Sequence, residues 1–171
     1  MAPSPTVSHS AVNLGDSREA YQALLKLARD ISGHRTVDDL LQGLWTHLSG
    51  FGWFDHVAIS LCEPDAGTMN VVGIWPALET DLPMRTVPMA QARAAMEVWT
   101  TQRSRQFHLT PENDEWISSS YGLRHLRDIG MRVACYLPMS TPRRRLGVLV
   151  VGSAGVADYP PETIAIIEHI G

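Results

Sequence analysis

Apolar positions in this chain switch between two periods. Behind an Asp16-Ser17 start, Tyr21, Leu24, Leu25, Ala28 and Ile31 recur at helical spacing until Gly33. Thr36 opens a second run, with Asp39 as a capping acid. Val37, Leu40, Leu41, Leu44 and Leu48 form its stripe and Gly50 ends it. From residue 54 the period falls to two. In FDHVAISLC, Val57, Ile59 and Leu61 alternate with His56, Ala58, Ser60 and Cys62, which is strand spacing; EPDAGT is a turn and MNVVGIW the returning strand.

After the Pro-punctuated PALETDLP, residues 84–87 read as a short extended piece. Pro88 suits the first turn of a helix that carries Met89, Ala92, Met96 and Trp99 on one side through about Gln102. Residues 103–130 are less regular. SRQFHLT suggests a brief strand, PENDEW a helix start with acids in its first turn, and ISSSYGLRHLRDIG a weak helix interrupted by Gly122. MRVACYLPM and RLGVLVVGS are the strongest strands, joined by STPRR, a loop of hairpin length. Pro160-Pro161-Glu162 starts a last helix with Ile164, Ile167 and Ile170. Its stripe is still running at Gly171, so more sequence is expected to follow.

Composition narrows the class. Residues 1–15, rich in Pro, Ser and Gly, read as a flexible leader, and 16–171 as one domain. With 44% hydrophobic and 19% charged residues, the chain suits a folded domain with a real core. A net charge of −4 argues against nucleic acid as a partner. No apolar stretch approaches the ~20 residues of a membrane span, and MAPSPTVSHSAVNLG is no signal peptide. Cys62 and Cys135 form no metal or disulfide pattern, which points to a reducing, cytoplasmic setting. Arg143-Arg144-Arg145 stand where a hairpin turn meets a strand and read as solvated charge rather than a phosphate site.

The order of elements, with four stretches of sequence, resembles a GAF domain, a small-molecule-sensing module. LLKLARDISGHRTVDDLLQGL is similar to that family's first helices, and FDHVAISLCEPDAGTM to its first strand and turn. RVACYLPMSTPRRRLGVLVVGS resembles its terminal hairpin and ADYPPETIAIIEHI its closing helix. The resemblance runs from about residue 17 to 171, and the last hairpin with its helix is its most specific part. PAS domains, another sensor fold, lack the paired first helices.

The resemblance implies an α+β sandwich. An antiparallel sheet of about six strands would carry the terminal helices on one face and the middle helices, over a ligand pocket, on the other. It also implies a non-catalytic regulatory role, with a small-molecule effector and an output domain in a longer protein. That protein would be a transcriptional activator of the formate-hydrogenlyase-activator type or a sensor kinase. A homodimer would form through the helices at 17–31 and 161–171. A ligand-free dimerisation module, or a thiol enzyme of the methionine-sulfoxide-reductase kind using Cys62 and Cys135, are the alternatives. The Asn-Lys-Phe-Asp-Glu signature of cyclic-nucleotide GAF domains is absent, and residues 88–130 hold no cysteine for a covalent bilin.

Strand parity supplies the candidate site. With Val57, Ile59 and Leu61 packed on the first helices, Ala58, Ser60 and Cys62 face the pocket layer. Trp75, Trp99, Phe107, Trp116 and Tyr121 concentrate aromatic surface in the middle of the chain, as small-ligand pockets do. Arg105, His108, Arg124 and His125 add polar groups there. An arginine would suit a small organic acid, and His108 or His125 a haem iron. The candidate ligand-binding set is Ser60, Cys62, Trp75, Trp99, His108, Trp116, Tyr121, Arg124 and His125; no catalytic or metal-binding residue is expected.

Overall fold

The computed structural model describes residues 37–76 and 85–168. The expected leader, the first helix at 17–31 and the final three residues lie outside them. Six strands form one antiparallel sheet in the order β3-β2-β1-β6-β5-β4: β1 His56–Glu63, β2 Thr68–Trp75, β3 Thr86–Pro88, β4 Arg105–His108, β5 Val133–Thr141 and β6 Arg144–Ser153. Five helices accompany it among the described residues: α1 Val37–Leu48, α2 Arg93–Thr101, α3 Asp114–Ser118, α4 Tyr121–Asp128 and α5 Pro161–Glu168.

Two hairpins set the register. Between β1 and β2 the chain turns through Pro64–Ala66 and Gly67, whose φ of 67° is a left-handed conformation that glycine adopts without steric cost. Between β5 and β6 the Thr141 hydroxyl accepts hydrogen bonds from the backbone N–H of Arg144 (3.1 Å) and Arg143 (3.4 Å), closing a short side-chain turn. The three arginines there are exposed, and the Arg145 guanidinium donates to the Thr100 carbonyl at 3.0 Å.

Alternation along the strands divides the interior into two layers. On one face Val57, Ile59, Leu137, Leu149 and Val151 pack with Leu41, Leu44 and Leu48 of α1 and Ile167 of α5. On the other, Ala58, Cys62, Ala134, Tyr136, Val148 and Val150 pack with Ala94, Ala95 and Val98 of α2 and Leu123 and Leu126 of α4. Leu61 packs against the first layer, as its parity requires. β1 and β6 lie between other strands and carry helices on both faces, which is why GVLVV is a continuous apolar run. These two strands approach closely at Gly147, which pairs with Leu61. A Cβ on Gly147 would overlap the Ser60 carbonyl oxygen and lie 2.8 Å from the Leu61 Cα.

The middle helices differ from the expectation in two ways. The chain after Pro88 first makes a single tight turn, Met89–Gln91, and α2 then buries Ala94, Ala95 and Val98. Met89, Met96 and Trp99 are only partly buried along its flank. Small side chains let the helix approach the sheet, so the alanines face inward and the large residues cover the edges. The break in the second helical segment falls at Ser119-Ser120, and α4 runs through Gly122. Ser120 is extended (φ −126°, ψ 109°), bridges to Ala92 and accepts a 2.9 Å hydrogen bond from the Ala94 N–H, so α4 starts where it is tied to α2.

Beyond β6, the Asp55 carboxylate accepts from the Ser153 hydroxyl (2.9 Å) and the Ala154 N–H (2.8 Å). Asp55→Ala leaves the fully buried Ser153 hydroxyl without that acceptor and should cost about 1 kcal/mol in urea unfolding, while Asp55→Asn keeps an oxygen in place and should cost less. Equal losses for the two variants would show that the carboxylate's charge, not its oxygen, holds the loop.

Candidate functional site

A cavity of about 70 Å³ opens between the sheet and the α2–α4 layer. That is several times the ~10–15 Å³ that admits one water and well below the ~300–1,000 Å³ of drug-sized sites, so it suits a molecule of few heavy atoms. Parity of β1 brings His56, Ala58 and Ser60 to the cavity, while Ala94 and Ala95 of α2 keep the facing wall low. α4 contributes Tyr121, Gly122 and His125, and β5 contributes Tyr136. Gly122 makes room for the Tyr136 hydroxyl, which would lie 2.7 Å from a Cβ there. Among the described residues no Asp, Glu, Lys or Arg lines the space.

Two imidazoles dominate its polarity. His56 is 3% exposed, and its Nδ1 has no hydrogen-bond partner. The His125 Nε2 is likewise buried without one. Burial, reinforced by the charge of His125, lowers the His56 pKa from the usual 6.5 to about 4. Burial also lowers that of His125, against the opposing pull of Asp128. Both rings are therefore neutral near pH 7.

No protein-family model matches the sequence, and no curated protein does. Solved structures do match in fold. The GAF domain of a phosphoenolpyruvate-protein phosphotransferase from Coxiella burnetii superposes with a TM-score of 0.68 at 10% identity, over 91% of this chain and 89% of that one. The GAF domain of a two-component sensor histidine kinase from Bacillus halodurans gives 0.57 at 18% identity, over 94% and 89%. The free methionine-R-sulfoxide reductase of Neisseria meningitidis gives 0.66 at 15% identity, over 96% and 90%. The chain has the GAF fold.

Within this GAF fold, Ser60, Tyr121 and His125 of the expected set line the cavity. The others lie elsewhere. Cys62 is buried in the same layer without lining the space. Trp99 packs at the flank of that layer, its Nε1 buried and unpartnered. Trp116 carries the guanidinium groups of Arg93 (4.1 Å) and Arg105 (4.2 Å) over its ring, and Arg105 also pairs with Glu97. Trp75 packs against the α1 layer, on the opposite face of the sheet, because the register of β2 turns Ile74 inward and Trp75 out. His108 sits half-exposed beside Asp158 at 2.7 Å, and Arg124 donates to the Ser118 carbonyl.

His56 and Tyr136 are the residues that sequence reasoning passed over. The signal for His56 was present, since it shares parity with Ala58 and Ser60. Tyr136 alternates with Cys135 in the same manner.

The thiols do not form a pair. Cys62 belongs to the α2–α4 layer and Cys135 to the α1 layer, with the sheet between them. Burial pushes the Cys135 thiol up to about 12 and raises Cys62 as well, the reverse of what a thiolate nucleophile needs. Among the described residues no three His, Cys, Asp or Glu converge as a metal site, and no helix is long and apolar enough to cross a membrane. A haem or bilin ring does not fit a 70 Å³ space, and His108 as an iron ligand stands on the surface outside it.

Proposed function

We propose that this chain is the sensory module of a signalling protein, binding a small effector in the cavity between the sheet and α2–α4. The observation that carries this reading is a small, largely apolar cavity with two buried, unpartnered ring nitrogens. Polar atoms inside a protein are rarely left without partners, and such atoms in a cavity are groups that a ligand can satisfy. The GAF neighbours from a histidine kinase and a phosphotransferase support a regulatory role. The reading includes an output domain in a longer protein and a homodimer through the terminal helices. β1 offers a route for the signal: Ala58 and Ser60 touch the cavity while Val57 and Ile59 touch the α1 layer. An effector acts through it only by binding one arrangement of these layers better than another.

A thermal-shift screen of small acids, amides, alcohols and nucleotides tests the reading. A ligand at 100 times its Kd adds about 2.7 kcal/mol of stability and should raise the melting temperature by several degrees. Ala95→Leu, which fills the cavity from α2, should abolish that rise while the protein stays folded. A rise that survives Ala95→Leu places binding elsewhere and overturns the reading.

A further inference from the structure

We infer that the edge strand β4 is a relay arm that couples the cavity to α5. The inference rests on the sensory reading and names the regulation of that site. Side chains of β4 alternate between the two faces of the sheet. Phe107 points into the α2–α4 layer, where it meets the ring of Tyr136 edge-on at 5.5 Å between centroids. Tyr136 lines the cavity, and its hydroxyl occupies the space that a side chain on Gly122 would need. A molecule that displaces the Tyr136 ring therefore displaces a group in direct contact with β4.

The other side of β4 holds the segment that leads into α5. Gln106 pairs with Cys135, which belongs to the α1 layer, so its side chain leaves the sheet on that face. It accepts from the Tyr159 N–H at 2.7 Å and donates to the Asp158 carboxylate at 2.5 Å. The His108 Nε2 shares that carboxylate oxygen at 2.7 Å. Ser104, at the same parity, donates to Glu168 of α5 itself.

The build of β4 suits it to this role. It is four residues long and pairs with β5 alone. A short edge strand opens at less cost than the central strands, and its planar peptide units make Gln106 and His108 tilt with Phe107. Tyr159 is meanwhile fixed through its ring, which is buried and stacks on Phe54 at 5.3 Å. The clasp on Asp158 and Tyr159 thus has a made and a broken arrangement. Breaking it leaves the partly buried Tyr159 N–H without its acceptor, which separates the two in energy. α5 begins directly beyond, at Pro161, and receives the difference.

Amide hydrogen exchange of the intact chain, followed by NMR, tests the arm without a ligand, so its failure leaves the sensory reading to the thermal-shift screen. Gly122→Ala puts a Cβ 2.7 Å from the Tyr136 hydroxyl and pushes that ring from within the cavity. Tyr136→Leu removes the edge contact with Phe107 without overpacking, and serves if the first variant unfolds. The Tyr159 amide should exchange about tenfold faster in either variant. Amides of β1 and β6 should stay slower than that of Tyr159, which shows that the opening is local. The Ile164 amide, bonded to the Pro160 carbonyl at 3.1 Å in the first turn of α5, should speed up as well. With Ser104→Ala, Gln106→Ala and His108→Ala combined, Ile164 should no longer respond to either cavity variant. An unchanged Tyr159 rate in both cavity variants overturns the arm. So does an Ile164 response that survives the three alanines, which would route the coupling through β5 directly.

Discussion

Gly147→Ala is expected to be the most damaging single methyl group in the domain. Gly147 lies in β6 opposite Leu61 of β1, with the neighbouring strand's backbone where its side chain would be. The added Cβ would meet the Ser60 carbonyl oxygen and the Leu61 Cα, at 2.8 Å from the latter. Both are backbone atoms of a strand paired on its two sides, so no side chain can rotate away and the strands must separate. Overpacking of a core costs about 1–3 kcal/mol where side chains can yield, and backbone contact puts this case at or above the upper end, about 3 kcal/mol or more. A domain of this size should then melt about 10 °C lower, or fail to fold. Gly155→Ala is the control. Its Cβ would find only the Ser153 hydroxyl, at 3.8 Å, and its stability should change by less than about 0.5 kcal/mol. Equal melting temperatures for the two variants would mean that β1 and β6 do not pair as described.

Acid should loosen the domain through His56. Unfolded, this histidine takes its proton near 6.5; folded, burial holds it neutral down to about 4. Between those values the unfolded chain binds more protons, so stability falls as pH falls. The contribution is complete above pH 6.5, declines by about 1.4 kcal/mol per pH unit below it and levels off near 4, about 3 kcal/mol in all. His56→Gln removes the titration. The variant should be less stable than the parent at pH 7.5, where its amide replaces a fitted imidazole, yet lose about 2 kcal/mol less between pH 6.5 and 5. Urea unfolding at the two pH values measures the difference, and carboxylates common to both proteins cancel from it. Parallel losses would mean that His56 titrates as it does in water, and that the cavity around it is wet.

Periodicity carried the architecture. The alternation in FDHVAISLC and the paired strands of the final hairpin were enough to place Val57 and Ile59 under α1 and Ala58 and Ser60 across the sheet, because the direction of a side chain on a strand is a local property. α2 was misjudged for a related reason. The spacing of Met89, Ala92, Met96 and Trp99 is helical, but it ignores how near the helix comes to the sheet. The structure buries Ala92 as expected and packs Met89, Met96 and Trp99 against the same layer only in part, while the helix turns Ala94, Ala95 and Val98 fully inward. Trp75 illustrates a different gap. Aromatic density along the chain is blind to which face of a strand a residue occupies, and one position of register sends Trp75 to the α1 layer while its neighbour Ile74 packs beside α2–α4.

The two faces of the sheet were thus written in the order of apolar residues, since the pleat alternates side chains whatever lies on either side. The meeting of His56 with His125 was not. It depends on β1 taking a place near the middle of the sheet and on Ser120 tying the start of α4 to α2, contacts between distant parts of the chain. Burial then sets the chemistry of both rings, because an imidazole loses its proton-binding strength only when packing removes the water around it.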